Sequence, residues 1–266
     1  MRRARFVATG LRQSLLYKQR PRCEVSLVHP PEKTDTELLA RWQMVIARVR
    51  AAEQAAGRPA NSVSLLAVSK LHPAQAIRSL HAAGQTAFGE NYVQEALDKM
   101  TALADLPLQW HLIGPLQSNK TQQVAAHFDW VHSVDRLKIA QRLSAQRPPQ
   151  LPPLQVCLQV NIDAEDSKSG CALADLPALA EAVLALPNLR LRGLMAIPAP
   201  GNVGAHALLA KTASDLLARL PALAAQPFDT LSTGMSDDLA EAVAAGSTMV
   251  RIGTAIFGAR PAPQSE

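Results

Sequence analysis

From about residue 34 onward the chain alternates between two hydrophobic periods. Short apolar runs occupy 64–70, 86–90, 109–114, 130–135, 155–162, 191–197, 230–234 and 249–254. Between them apolar positions recur every three or four residues, as over 73–83, 92–100, 137–146, 176–186, 205–220 and 237–245. The short runs read as buried strands and the longer period as amphipathic helices. Their alternation predicts parallel strands joined by right-handed crossovers. Eight such units predict one (β/α)8 TIM barrel. An open doubly wound sheet is the alternative, but it calls for a glycine-rich loop after the first strand. Here Lys70 is followed by Leu71, His72 and Pro73.

The ends of the chain depart from this pattern. Thr34-Asp35-Thr36-Glu37 reads as a capping box, with Thr34 at the N-cap. Leu38, Trp42, Val45, Ile46 and Val49 continue it as a helix over 34–56, stopped by Gly57 and Pro59. No helix is expected after the eighth strand, so this first helix is expected to cover the gap between the last strand and the first. Residues 1–33 carry Pro21, Pro30 and Pro31 and read as a disordered basic extension. The barrel is expected over 34–260, with 261–266 a short tail.

Charge changes the picture once it is divided. The net charge is +5, but residues 1–22 hold seven basic groups and no acid, leaving 20 basic against 22 acidic residues in the rest. With 4% aromatics the near-neutral body is not expected to bind nucleic acid. No apolar run approaches the ~18 residues of a membrane span, so no membrane association is expected. Cys23, Cys157 and Cys171 form neither a CxxC pair nor an even framework, which suits a reducing cytoplasm.

Chemistry in such barrels collects at the carboxyl ends of the strands. Lys70 ends the first run, and a neutral amine there attacks carbonyls to form a Schiff base. Taken alone, a lysine reaching for water is the better reading. The seventh run leads into Gly234-Met235-Ser236-Asp237-Asp238 and the eighth into Arg251-Ile252-Gly253-Thr254. Ser236 is expected to cap the following helix. Its hydroxyl, that of Thr254 and the backbone N–H groups at Gly253 and Thr254 make a phosphate cup. A cup plus a Schiff-base lysine points to pyridoxal 5′-phosphate, PLP. Arg251 stands two residues before Gly253, on the same face of its strand. It is placed to meet the pyridine nitrogen, or else is a salt-bridged strand-end arginine. Asn91 is placed to cap a helix or to hydrogen-bond the cofactor ring. His111 reads equally as a core residue or a ligand, and no histidine spacing matches a metal site. Lys168 is a second amine near the barrel mouth, better read as a solvated loop lysine.

These segments are similar to those of the pyridoxal phosphate homeostasis protein family. They are LLAVSK at 65–70, FGENYVQE at 88–95, HLIGPLQSNK at 111–120, VHSVD at 131–135, VNIDAEDSKSG at 160–170, LRGLMAI at 191–197, GMSDD at 234–238 and VRIGTAIFG at 250–258. Eight matches in order, over about 61–260, make the resemblance specific. It implies a barrel of the alanine racemase N-terminal type that binds PLP. By position Lys70 resembles the lysine of the internal aldimine. Ser236, Gly253 and Thr254 resemble the phosphate contacts, Arg251 the pyridine-nitrogen partner and Asn91 a contact close to the ring. Thr233 departs from the pattern, standing where a bulkier apolar residue is expected.

The resemblance implies a PLP carrier that hands vitamin B6 cofactor to apo-enzymes and has no catalytic residues of its own; the barrel is long enough to stand as a monomer, and a monomer is expected. An amino-acid racemase is the alternative. It needs acid–base groups on both faces of the substrate, and in alanine racemases the second is a tyrosine from an added domain. Here the chain stops where the barrel is expected to close, and the tyrosines are Tyr17 and Tyr92. A Schiff-base aldolase acting on a phosphorylated sugar is a third reading, using the same lysine and cup.

Overall fold

The computed structural model describes residues 33–165, 168–202 and 204–259. The expectations for residues 1–32, for the Thr34 hydroxyl of the capping box and for the 261–266 tail lie outside the described residues or side chains.

All eight apolar runs are strands: β1 (Ser64–Val68), β2 (Ala87–Glu90), β3 (Gln109–Leu112), β4 (Trp130–Val134), β5 (Leu154–Gln159), β6 (Leu189–Met195), β7 (Thr230–Ser232) and β8 (Met249–Ile252). They pair in chain order, all parallel, into a closed barrel. β8 closes on β1 through pairs running from Ser64↔Met249 to Ala67↔Ile252. Except for β2, which ends with its run at Glu90, the strands stop short of the runs at their carboxyl ends. Burial persists past the last ladder pair, as at Ser69 and Thr233, so an apolar period overshoots the strand.

The six expected helices are present as α2 (Ala74–Ala82), α3 (Val93–Ala102), α5 (Leu137–Gln146), α6 (Leu176–Leu184), α7 (Ala205–Arg219) and α8 (Leu239–Ala244). A further crossover helix, α4 (Thr121–His127), carries only two buried apolar positions, Val124 and Ala125, and left no readable period. The expectation of no helix after β8 is corrected. A single turn, α9 (Thr254–Phe257), buries Ile256 and Phe257. Four residues are too few to show a helical repeat.

The first helix, α1 (Lys33–Ala55), buries Leu38, Val45, Val49 and Ala52. Each buried leucine or valine there contributes about 1.5–3 kcal/mol. Gly57 ends the helix region in the left-handed conformation, φ 64°, where a side chain would strain the backbone. α1 packs against α2, α8 and α9, and Arg41 Nε donates to Ile256 O at 2.8 Å. It therefore covers the β8–β1 seam, as expected.

Apolar residues fill the space between strands and helices, whereas the barrel interior holds an uncommon share of polar groups. His111, His132, Ser232 and Arg251 are buried there, beside a small apolar cluster of Trp130, Cys157 and Met195, whereas the buried Glu90 faces α3. Among the described residues no helix is long and apolar enough to cross a membrane.

Candidate functional site

The barrel's carboxyl end opens into a cavity of about 800 Å³. Lys70, Asn91, Ser236, Arg251, Gly253 and Thr254 all line it. Residues from four separate strand ends thus converge where the fold places chemistry.

Lys70 lies two residues beyond β1, on a turn held from both sides. Ser69 N–H donates to Gly89 O at 3.0 Å, and Ser69 Oγ donates to Glu90 Oε1 at 2.6 Å. Leu71 N–H donates to Glu95 Oε1 at 2.5 Å, with Leu71 itself left-handed at φ 64°. Lys99 joins the two anchors. Its Nζ lies 2.7 Å from each of Ser69 O, Glu90 Oε1 and Glu95 Oε1. Burial pushes the Glu90 carboxyl up, against the opposing pull of Lys99. Sequence reasoning gave Lys99 no role. Its only trace was the Glu95–Lys99 spacing of four, which is common on exposed helix faces.

Asn91 caps no helix, since α3 starts at Val93 with Tyr92 at its N-cap. Its Oδ1 is buried and has no hydrogen-bond partner among the described residues. A Cβ at Gly114 would stand 2.3 Å from Asn91 O, so only glycine lets the chain after β3 pass that close.

Ser236 does not cap α8 either. Asp238 holds the N-cap position, its Oδ1 accepting from Met235 N–H at 2.5 Å. Ser236 sits in the preceding turn, three residues before the first residue of α8 at Leu239. Gly253 is the N-cap of α9 and Thr254 its first residue. A Cβ at Gly253 would crowd Val68 O at 3.2 Å. Arg48 of α1 also lines the cavity, its Nη2 donating to Ser236 O at 2.7 Å. Nothing in the sequence pointed to Arg48, because its place depends on where α1 lands on the barrel.

Arg251 is buried and makes no ion pair with a carboxylate among the described residues, which disfavours the salt-bridged reading. Its guanidinium donates to Ser232 O and Oγ and to Ala196 O. Burial lowers it to about 10, so it stays cationic at neutral pH. His111 is a core residue, stacked on Trp130 with ring centroids 5.2 Å apart. No cluster suited to a metal occurs among the described residues. Burial pushes the Cys157 and Cys171 thiols up to about 12 and about 11, so neither supplies a thiolate.

Lys168 and Tyr92 are not among the cavity lining. Lys168 Nζ meets Asp163 Oδ2 at 2.6 Å. Asp163 in turn accepts from Ala199 N–H and Asn202 Nδ2, binding the loop after β5 to the loop after β6. Tyr92 is 55% exposed.

The residues fit PLP. The cavity holds an amine, a buried acceptor awaiting a donor, a cation with donors to give, and hydroxyls beside an uncrowded glycine.

The alanine racemase N-terminal domain family matches residues 40–261. The chain is 65% identical over 218 residues to the pyridoxal phosphate homeostasis protein of Pseudomonas aeruginosa, covering 81% of this chain and 93% of the relative. It is 55% identical over 221 residues to the protein of the same name from Escherichia coli, covering 80% and 92%. Among solved structures it is similar to PipY of Synechococcus elongatus with PLP bound. That similarity has a TM-score of 0.70 at 41% identity, over 80% of this chain and 100% of PipY.

Proposed function

The chain belongs to the pyridoxal phosphate homeostasis protein family, built on the alanine racemase N-terminal barrel, and from this we propose that it binds PLP reversibly and maintains its supply. The observation that carries the reading is the convergence of Lys70, Asn91, Arg251 and the Ser236–Gly253–Thr254 cup on one cavity.

When bound, PLP supplies an aldehyde that condenses with an amine and releases water. Lys70 presents that amine from a turn fixed at Ser69 and Leu71. Ser236, Thr254 and the backbone at Gly253 bind phosphate, and Arg48 adds a cation beside them. Arg251 donates to the pyridine nitrogen and keeps it unprotonated, which weakens the electron-withdrawing power of the ring. Asn91 Oδ1 accepts from a polar group close to the ring. The cavity lining holds no tyrosine, histidine or cysteine among the described residues, so the second face of a substrate meets no such acid–base partner. This supports a carrier over an enzyme with turnover. We place the carrier in the cytoplasm, as a monomer, serving PLP-dependent apo-enzymes. Every residue of the proposed PLP site comes from this one barrel, which supports the monomer.

The test is a visible absorption spectrum before and after borohydride, followed by peptide mapping and a racemisation assay across amino acids. A band that reduction fixes onto the Lys70 peptide, with no racemisation, is expected. A protein that gains no band with added PLP would overturn the cofactor reading, and turnover of an amino acid would overturn the carrier.

Arg48→Gln is expected to weaken PLP binding by about threefold to tenfold, as for one charge-assisted contact at a partly open site. The loss shrinks at 1 M salt and is absent for unphosphorylated pyridoxal. Equal weakening of both ligands, read by absorbance titration, would remove Arg48 from the cup.

A further inference from the structure

Arg251 stands at one end of a row of hydrogen bonds that crosses the barrel interior. Its Nη1 donates to Ser232 Oγ at 2.9 Å. Ser232 Oγ lies 2.9 Å from His132 Nδ1, and His132 Nε2 lies 2.9 Å from His111 Nδ1. His111 Nε2 ends the row 3.0 Å from Gln109 Oε1. Ser232, His132 and His111 are each 0% exposed.

The Gln109 end of the row dictates its direction. The Gln109 amide oxygen only accepts, so a neutral His111 carries its proton on Nε2 and its Nδ1 is bare. His132 therefore donates from Nε2 to His111 Nδ1, and its own Nδ1 is bare. Ser232 Oγ accepts from the Arg251 guanidinium, which only donates, and turns its single O–H to His132 Nδ1. With both rings neutral, every group is satisfied in this sense. Protonating His111 at Nδ1 would set that N–H against the Nε2–H of His132, and protonating His132 at Nδ1 would take the acceptor from the Ser232 O–H. Burial acts the same way, pushing His111 down to about 3 and His132 well below the usual range.

We propose that His132 and His111, acting through Ser232, are positioning residues that hold Arg251 in a single donor orientation toward the cavity. With Nη1 on Ser232 O and Oγ and one Nη2 proton on Ala196 O, two of the guanidinium's five donors are left for a ligand. The row thereby fixes where those donors point, and because a guanidinium has no acceptor they pair only with a ligand ring nitrogen that accepts. This last step rests on the PLP reading, whereas the direction of the row does not.

Nitrogen-15 NMR of the ligand-free protein, labelled at histidine, tests the direction itself. Both rings are expected as neutral Nε2–H tautomers from pH 7 to pH 5. A proton on Nδ1 of either ring, or a charged ring at pH 7, overturns the proposal. Two variants then test the consequence by PLP titration. His132→Leu removes the acceptor for Ser232 O–H and is expected to weaken binding about tenfold, as for one hydrogen bond to a charged network. His132→Asn restores an acceptor oxygen near the Nδ1 position and is expected to recover to within about threefold. Equal weakening in both means that His132 only fills space, and overturns the positioning role. If His132→Leu does not fold, the tautomers decide. If the parent protein binds no PLP, the cofactor reading falls while the tautomers still decide the row.

Discussion

Lys70→Ala is expected to lose all borohydride-fixed PLP while remaining folded. Lys70 lies beyond the last residue of β1, and the turn around it is held by Ser69 and Leu71. Those anchors use the Ser69 hydroxyl and backbone groups, so truncating the lysine leaves them in place. A melting temperature within about 4 °C of the parent is expected, the shift that about 1 kcal/mol produces in a domain of this size. Non-covalent PLP still finds the cup, Arg48 and Arg251, so weak binding by absorbance persists. The decisive readout is mass mapping after reduction. A reduced adduct of unchanged yield on another peptide, such as that of Lys168, would show that the amine was misassigned.

Lys99→Met carries the second large effect, this time on stability. Lys99 is the counter-ion of Glu90, which is 0% exposed. Removing one partner of a buried pair strands the other charge and costs about 3–5 kcal/mol. The sign of its pH dependence follows from Glu90. Burial raises the folded carboxyl above its unfolded value, and losing Lys99 removes the main opposing pull, so it rises further. The folded state then holds a proton that the unfolded state has released, and stability falls as pH rises through that window. Denaturation in urea at pH 5 and pH 7 is expected to show the smaller penalty at pH 5. The same penalty at both values would mean that Glu90 is not the stranded charge. The turn at Lys70 loosens with it, because Lys99 also holds Ser69 O.

The parts of this molecule that were legible in the sequence are those encoded locally. Eight apolar runs gave eight strands because barrel strands are buried on both faces and read as continuous apolar stretches. The site residues at strand ends were legible for the same reason, since the strand end fixes the mouth. Short elements were not. α9 is one turn long, and α4 shows two buried apolar positions. The capping role expected of Ser236 failed because α8 starts at Leu239, two residues later than the apolar period suggested. Residues placed by tertiary packing left almost no trace. Arg48 enters from a helix docked over the seam, and Ser232 meets His132 across 100 residues of chain. Neither pairing has a period or a spacing to read.

The closure of β8 on β1 under α1 also makes loading a measure of completion. Arg48 comes from the first described helix and Thr254 from the last, so the two sides of the cup meet only when the ring has closed. A nascent chain that has emerged as far as β6 already carries Lys70 but has no place for phosphate. A ligand that binds only the closed ring stabilises it by mass action, in proportion to the logarithm of its free concentration. The stability of the closed ring thereby tracks the free concentration of whatever ligand fills its cup.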